Sequence, residues 1–114
     1  RQRRKDGRFR DDQDGVHLWV ADADGTAVGF VAVRQHSERS MGEISMLAVD
    51  PDHQGGGIGT ALTEFALERL EDCGMAVAMV ETGGDPGHAA ARRTYEKAGF
   101  VLLPIARYFR VLGE

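Results

Sequence analysis

Cysteine and long apolar runs are scarce in this sequence, and each absence excludes a class of protein. Cys73 is the only cysteine among 114 residues, so no internal disulfide can form, and a reducing, cytoplasmic environment is expected. No stretch reaches the uninterrupted apolar length of a membrane span, and no signal-peptide pattern opens the chain. The sequence therefore predicts a cytoplasmic protein without a membrane partner.

The overall composition predicts one globular domain. Hydrophobic residues make up 42% and charged residues 28% of the chain, which allows a real but modest core. We find no internal repeat and no linker, so we expect residues 1–114 to form a single domain. The chain begins at Arg1 without an initiator methionine, which is consistent with a fragment of a longer protein.

The net charge of −4 conceals an uneven distribution. Six basic residues and one aspartate give the first ten residues a charge of +5, which leaves −9 on the remainder. A basic arm can bind nucleic acid, but Phe9 is its only aromatic residue and the pattern does not recur. We therefore expect no nucleic-acid partner and interpret residues 1–12 as the basic end of a helix or a tail. The acidic remainder favours a cationic partner.

The apolar pattern predicts strands first, and helices alternating with strands afterwards. The predicted strands are residues 16–21, 28–34, 43–49, 76–80, 101–103 and 107–112, and the predicted helices are residues 58–73 and 88–98. The segment Asp22–Thr26 predicts a hairpin between the first two strands. This order favours an α/β class, with a mixed sheet and helices packed on it.

A glycine-rich turn, His53–Thr60, separates the third predicted strand from the first predicted helix. Four of the five positions from 55 to 59 are glycine, so few Cβ atoms hinder the approach of a ligand to the backbone N–H groups. The following helix N-terminus adds partial positive charge. The turn therefore predicts a binding site for an anion such as a diphosphate.

Two nucleotide-binding interpretations of this turn fit less well. A P-loop needs a lysine and a Ser/Thr directly after its glycines, and here Gly59 is followed by Thr60 without any lysine. A dinucleotide-binding turn needs a third small residue, which is missing, although Glu81 lies at a tolerable distance for a ribose contact. Phosphoryl transfer is thus unsupported, and dinucleotide binding stays as a weak alternative.

Two motifs, in the expected order, resemble those of the GNAT acetyltransferases. The first resembles motif A of that family: Gln54-x-x-Gly57-x-Gly59. The second resembles motif B: Ala91-x-x-x-Tyr95-Glu96-Lys97-x-Gly99-Phe100. The resemblance runs from about Val16 to the C-terminus, and the family's first strand and first helix have no counterpart before it. It implies a mixed, mostly antiparallel central sheet with helices on both faces.

The resemblance also implies acetyl-CoA as the acetyl donor. In the family, the pantetheine arm pairs with the main chain at the end of the strand that precedes the glycine turn. The diphosphate lies against the turn and the start of the helix. The cofactor neighbours implied here are Leu47, Ala48, Val49, Gln54, Gly55, Gly56, Gly57, Ile58, Gly59, Thr60, His88, Ala91 and Tyr95. No metal is implied, and the histidines show no ligand spacing.

Three residues are candidates for proton transfer. The resemblance implies that Tyr95 protonates the departing thiolate, with simple packing as its alternative. Glu43 precedes Gln54 by eleven positions, as the glutamate base does in histone-type members, so it is the leading candidate base. Glu81 is the second candidate, and a solvated charge at a strand end is the alternative for both. His88 replaces the usual asparagine of motif B, and we expect a cofactor neighbour there, with proton transfer or plain exposure as alternatives.

Taken with the residues, the resemblance predicts an N-acetyltransferase that moves acetyl from acetyl-CoA to a primary amine by direct attack in a ternary complex. A non-catalytic acyl-CoA-binding or sensor domain is the main alternative, followed by a dinucleotide-binding oxidoreductase. The acceptor stays open among small amines, polyamines, amino acids, antibiotics and protein amines, with cationic small molecules favoured. We also expect a homodimer, from the family and from the general frequency of two-fold dimers.

Overall fold

The computed structural model describes residues 10–11 and 16–113. Within them, five strands form one sheet in chain order: β1 (Arg10–Asp11), β2 (Val16–Ala23), β3 (Thr26–His36), β4 (Met41–Val49) and β5 (Val77–Val80). Two α-helices follow β4 and β5: α1 (Ile58–Asp72) and α2 (Ala89–Lys97). Single turns of 3₁₀-helix lie at Ser37–Arg39, Pro51–His53 and Pro86–His88.

The sheet is mixed and mostly antiparallel. Each strand from β1 to β4 is antiparallel to its neighbour, whereas β4 and β5 are parallel and are connected through α1. This arrangement confirms the predicted α/β class. The described strands do not form the doubly wound parallel sheet that a dinucleotide-binding domain requires.

The predicted hairpin between β2 and β3 is confirmed. Its two turn residues, Asp24 and Gly25, have φ values of 53° and 85°. Positive φ at both central positions is typical of a type I′ turn, which matches the twist of the flanking strands. The carboxylate of Asp22 accepts a hydrogen bond of 3.2 Å from the N–H of Gly25 and holds the turn closed.

Helix α1 covers one face of the sheet and completes the core. Its buried residues Leu62, Ala66 and Leu70 recur every four positions, so they form one stripe on the helix. That stripe packs against Val31 and Val33 of β3 and the other buried residues of the sheet. Contacts also place α2 beside α1. Neither helix is long and apolar enough to cross a membrane.

The N-terminal segment differs from the expectation. Arg10 and Asp11 form a short strand, not the helix end predicted for residues 1–12, and the other residues of that segment lie outside the described ones. The strand pairs with β2 through Arg10↔Leu18 and Asp11↔His17. The edge of β2 offers main-chain donors and acceptors, and pairing with them satisfies backbone groups of Arg10 and Asp11.

The C-terminal segment also differs, because residues 101–113 form neither of the strands predicted at 101–103 and 107–112. Their large apolar side chains are exposed, from 65% at Ile105 to 90% at Tyr108. Strand preference depends on a packed neighbour more than on the intrinsic preference of the residue. Among the described residues, β5 pairs with β4 alone. Residues 101–113 therefore have the apolar pattern of a strand without a neighbouring strand to pair with.

Candidate active site

Strands β4 and β5 pair over four residues and then separate. Their parallel register runs from Met41↔Val77 to Ile44↔Val80, whereas β4 continues to Val49. Beyond Ile44, β4 pairs with β3 alone in the described part of the chain. A gap therefore opens along the second half of β4, and the glycine turn follows at the end of this strand.

Main-chain groups of β4 point into this gap. The N–H of Asp50 donates a hydrogen bond of 2.8 Å to the C=O of Val28, on the β3 side. Because the direction of these groups alternates along a strand, those of Val49 and Leu47 point to the opposite, open side. The amide of Gln54 donates to the C=O of Val49 over 3.1 Å and so connects the turn to the strand end. An extended ligand in the gap would meet the main chain of Leu47 and Val49.

The glycine turn ends in a helix N-terminus. Gly55 and Gly57 have φ values of 85° and 89°, in the left-handed region that favours glycine. Gly57 is the N-cap of α1, so the first-turn N–H groups, those of Ile58, Gly59 and Thr60, have no partner within the helix. These groups and the positive end of the helix dipole form a site suited to an anion.

Tyr95 is buried on α2. Its side chain is 8% exposed, and its ring packs edge to face against Phe100 at 5.8 Å between centroids. Burial raises the pKa of the Tyr95 hydroxyl above its ordinary value of 10.0. The hydroxyl therefore keeps its proton at neutral pH and can supply it to a leaving group. Ala91 precedes Tyr95 by one helical turn, on the same face of α2.

Glu43 lies on the sheet face opposite α1. Its neighbours Gly42 and Ile44 are buried against α1, and side chains alternate along a strand, so Glu43 points the other way. It is 25% exposed and lies 3.0 Å from Nε2 of His36. The register places it directly across from Arg34 of β3.

Glu81 follows the last residue of β5. Val80 packs against the core, so continued alternation places Glu81 on the same face as Glu43, whose ladder partner on β5 is Met79. The Glu81 carboxylate is 56% exposed and accepts a hydrogen bond of 3.1 Å from Arg107. The fold thus brings both candidate carboxylates to one face of the sheet, with different partners.

His88 is held at the start of α2. Its Nδ1 lies 2.7 Å from Oδ1 of Asp85, and this hydrogen bond holds the pKa of the Asp85 carboxyl below its usual value of 3.8. Arg92 donates to the C=O of Asp85 over 2.9 Å and also to the C=O of Gly83. The loop before α2 is therefore held by His88 and by Arg92 of the helix, and His88 itself is exposed.

A cavity of about 870 Å³ borders the glycine turn on the side of α1 and the β2–β3 hairpin. Its lining includes Gln54, Gly55 and Gly56 but none of the three proton-transfer candidates. This cavity is therefore separate from the β4–β5 gap and from the sheet face of Glu43 and Glu81. Among the described residues, no group of three His, Cys, Asp or Glu side chains is placed to hold a metal ion.

Comparison with known proteins agrees with this geometry. The model of the acetyltransferase (GNAT) family matches residues 1–100. The chain is 40% identical over 88 residues to mycothiol acetyltransferase of Streptomyces coelicolor, covering 77% of this chain and 28% of that protein. It is 28% identical to the structure of IAA acetyltransferase from Bacillus cereus, with a TM-score of 0.73, covering 79% of this chain and 58% of that one.

The chain belongs to the GNAT acetyltransferase family. The resemblance drawn from motifs A and B is thereby confirmed, and the P-loop and dinucleotide interpretations are set aside. The fold is also shared with an aminoglycoside acetyltransferase from an uncultured soil metagenome, at a TM-score of 0.73 and 20% identity, over 90% of this chain and 69% of that one. GNAT acetyltransferases use acetyl-CoA as co-substrate. The chain spans little more than a quarter of the length of the curated relative, at 28%.

Several partners of the candidate site residues in this GNAT domain were not predicted from sequence. They are His36 beside Glu43, Asp85 beside His88, and Arg107 beside Glu81. The i,i+3 spacing of Asp85 and His88 is a signal that could have been used. His36 could have been found only by extending the β3–β4 pairing across the turn, and Arg107 carries no local signal.

Proposed function

We propose that this chain is a GNAT N-acetyltransferase domain that moves the acetyl group of acetyl-CoA to a primary amine by direct attack in a ternary complex. The gap that opens between β4 and β5 just before a left-handed glycine turn carries this proposal. Such a gap accepts an extended pantetheine arm by main-chain pairing, and the turn accepts a diphosphate. One continuous path thus fits both parts of the donor.

In this proposal the donor is held mainly by backbone atoms. Leu47, Ala48 and Val49 line the pantetheine arm, and the N–H groups from Gly55 to Thr60 hold the diphosphate. The side chain of Gln54 supports the donor site indirectly, because its amide donates to the C=O of Val49 and holds the glycine turn against the end of β4. His88 and Ala91, at the start of α2, complete the cofactor neighbourhood.

The proposed chemistry begins with an amine that is mostly protonated, since a lysine-like amine has a pKa of about 10.4. The carboxylate of Glu43 accepts one proton, and the freed lone pair attacks the carbonyl carbon of the thioester. The tetrahedral intermediate then collapses, the C–S bond breaks, and the thiolate of CoA takes the proton of the Tyr95 hydroxyl. The second proton of the attacking nitrogen restores the Tyr95 hydroxyl, and Glu43 releases its proton to the solvent. The products are the acetylated amine and CoA.

Glu43 fits the role of base better than Glu81. Glu43 is the less exposed of the two, and its strand is fixed on both sides by ladder pairing. The Glu81 carboxylate is engaged by Arg107 in an exposed ion pair. We expect Glu43→Gln to lower kcat by roughly 10²-fold, and Glu81→Gln to change it by less than about three-fold. A strong loss in Glu81→Gln alone would instead assign the base to Glu81.

The acceptor is proposed to be a small amine with positive charge. Two carboxylates lie on the sheet face where the amine would approach, and the domain is acidic beyond its first ten residues. The curated relatives named mycothiol acetyltransferase support a small acceptor of the mycothiol type. An acceptor panel should therefore contain polyamines, aminoglycosides and mycothiol-type amines.

Thermal unfolding in the presence of acetyl-CoA, CoA or NADH tests the donor site first. A ligand at 100 times its Kd stabilises the folded state by about 2.7 kcal/mol, so a clear rise with the two CoA species alone is expected. Thiol release with the amine panel then tests turnover. Stabilisation without turnover for any amine would favour a non-catalytic acyl-CoA-binding domain, and no stabilisation would overturn the donor site.

Three further properties are proposed for this domain. The single cysteine supports a reducing, cytoplasmic location. The acidic remainder of the chain supports a partner that is not nucleic acid. A homodimer is proposed from the frequency of two-fold assemblies, and light scattering of the purified chain tests it.

A further inference from the structure

We propose that His36 is the positioning residue of Glu43, an inference that rests on the proposed role of Glu43 as base. The Nε2 atom of His36 lies 3.0 Å from Oε1 of Glu43. The two side chains are 30% and 25% exposed, so the contact is partly shielded from water. It lies on the sheet face opposite α1, where the amine would approach.

The backbone fixes both residues of this pair. His36 is the last residue of β3 and pairs with Met41, and Arg34 pairs with Glu43 in the same antiparallel ladder. Residues two apart on a strand share a face, so His36 and Arg34 both lie beside Glu43, one diagonally and one directly across. The contact therefore depends on ladder geometry and not on a loop.

The hydrogen-bonding capacity of the two groups sets the proton arrangement. An ionised carboxylate can only accept hydrogen bonds, so the Nε2 atom of His36 must carry the proton of this contact. The contact occupies Oε1 of Glu43 and leaves Oε2 to accept the proton of the amine. Without the imidazole, Arg34 is the remaining cross-strand donor, and we expect the carboxylate to turn toward it and away from the acceptor.

The pair lies close to the point where β4 and β5 separate. Glu43 is the second-last residue of β4 that pairs with β5, and the pairing ends at Ile44↔Val80. The carboxylate thus lies where the gap begins, at the end of the proposed path of the thioester. A base that is misdirected by about 1 Å can lose roughly 10²-fold in rate, so a fixed carboxylate oxygen matters here.

Four variants test the inference: His36→Ala, His36→Gln, Glu43→Gln and the double variant His36→Ala/Glu43→Gln. We expect His36→Ala to lower kcat about 10-fold with little change in the KM for acetyl-CoA, because donor binding does not use this pair. His36→Gln keeps an N–H donor and should recover most of the loss. In the Glu43→Gln background, His36→Ala should have no further effect. Gln35→Ala, on the other face of β3, is the matched control.

The outcomes separate this inference from the function on which it rests. If Glu43→Gln is impaired but His36→Ala has wild-type kcat, or lowers kcat equally in both backgrounds, the positioning role is wrong. Wild-type kcat in Glu43→Gln removes the role of Glu43 as base and overturns both. Long-range ¹H–¹⁵N NMR of the His36 ring needs no turnover. An Nε2–H tautomer whose ring signals shift in Glu43→Gln supports the pair, and an Nδ1–H tautomer overturns it, even if no amine is acetylated.

Discussion

Gly42 of β4 lies directly against Leu70 of α1. A Cβ atom at Gly42 would lie only 2.9 Å from Cγ of Leu70, and Leu70 is itself 2% exposed. Both residues belong to the region where α1 crosses the paired part of β4 and β5. The close approach of α1 to the sheet therefore depends on the absence of a Cβ atom at Gly42, one residue before the candidate base Glu43.

Gly42→Ala should destabilise the fold. The added methyl group must displace a buried leucine, and overpacking of this kind costs typically about 1–3 kcal/mol. Urea unfolding measures the difference. Gly84→Ala is the matched control, because a Cβ there would meet nothing within 4 Å, and we expect a change below about 0.5 kcal/mol. Equal losses in the two variants would contradict the close approach of Leu70.

Gly57→Ala should destabilise the glycine turn through its backbone conformation alone. A Cβ at Gly57 meets nothing within 4 Å, but the φ of 89° is left-handed and costs an alanine about 1–2 kcal/mol. We also expect the stabilisation by acetyl-CoA to fall. Gly56→Ala, whose Cβ meets only the C=O of His53 at 3.7 Å, should lose less in both measurements. Similar losses in the two variants would mean that φ is not the cause.

The features that could be predicted from sequence are those fixed by local chemistry. The turn at Asp24 and Gly25 depends on left-handed φ values, and the stripe of α1 depends on a four-residue spacing. The glycine turn and the start of α1 are contiguous in sequence, so their location can be predicted together. Residues 101–112 show the limit, since a strand needs a partner that the local pattern does not supply. The contact of His36 with Glu43 could not be predicted without the register of β3 against β4 across the intervening turn.

His88→Asn should raise the pKa of Asp85. The hydrogen bond from His88 is the largest cause of the lowered pKa of this carboxyl, followed by the local backbone. The shorter, neutral asparagine replaces the imidazole with a weaker donor, so the pKa of Asp85 moves back toward 3.8. Carbon-13 NMR of the carboxyl groups across an acid titration measures the shift. His53→Asn, at an exposed histidine that pairs with Asp50, should leave the Asp85 titration unchanged. An unchanged Asp85 titration in His88→Asn would remove the basis for a fixed His88.

Tyr95→Phe should separate the chemical role of the hydroxyl from the packing of the ring. The phenylalanine keeps the contact with Phe100, so we expect stability and acetyl-CoA binding to be retained while kcat falls by roughly 10²-fold. Because burial raises the Tyr95 pKa, the protonated acid persists through neutral pH, and the alkaline fall in kcat should occur only as pH rises through a value above 10.0. A kcat for Tyr95→Phe equal to wild type would assign the residue to packing alone.

Tyr108→Phe supplies both the control and a direct measurement of the Tyr95 pKa. The chain has two tyrosines, and Tyr108 is 90% exposed, so this variant should keep wild-type kcat while leaving Tyr95 as the sole phenol that titrates. Phenolate absorbance should then rise with a midpoint above 10.0.

The raised pKa of Tyr95 also makes the stability of the fold depend on pH, because the folded state holds the Tyr95 proton more tightly than the unfolded chain does. Its contribution is therefore complete below the unfolded pKa and is lost as pH rises through the folded one. The unfolding midpoints of Tyr108→Phe and Tyr95→Phe, measured between about pH 8 and 11, should accordingly diverge only at the alkaline end. A titration midpoint for the Tyr95 hydroxyl at or below 10.0 would show that this hydroxyl is not desolvated.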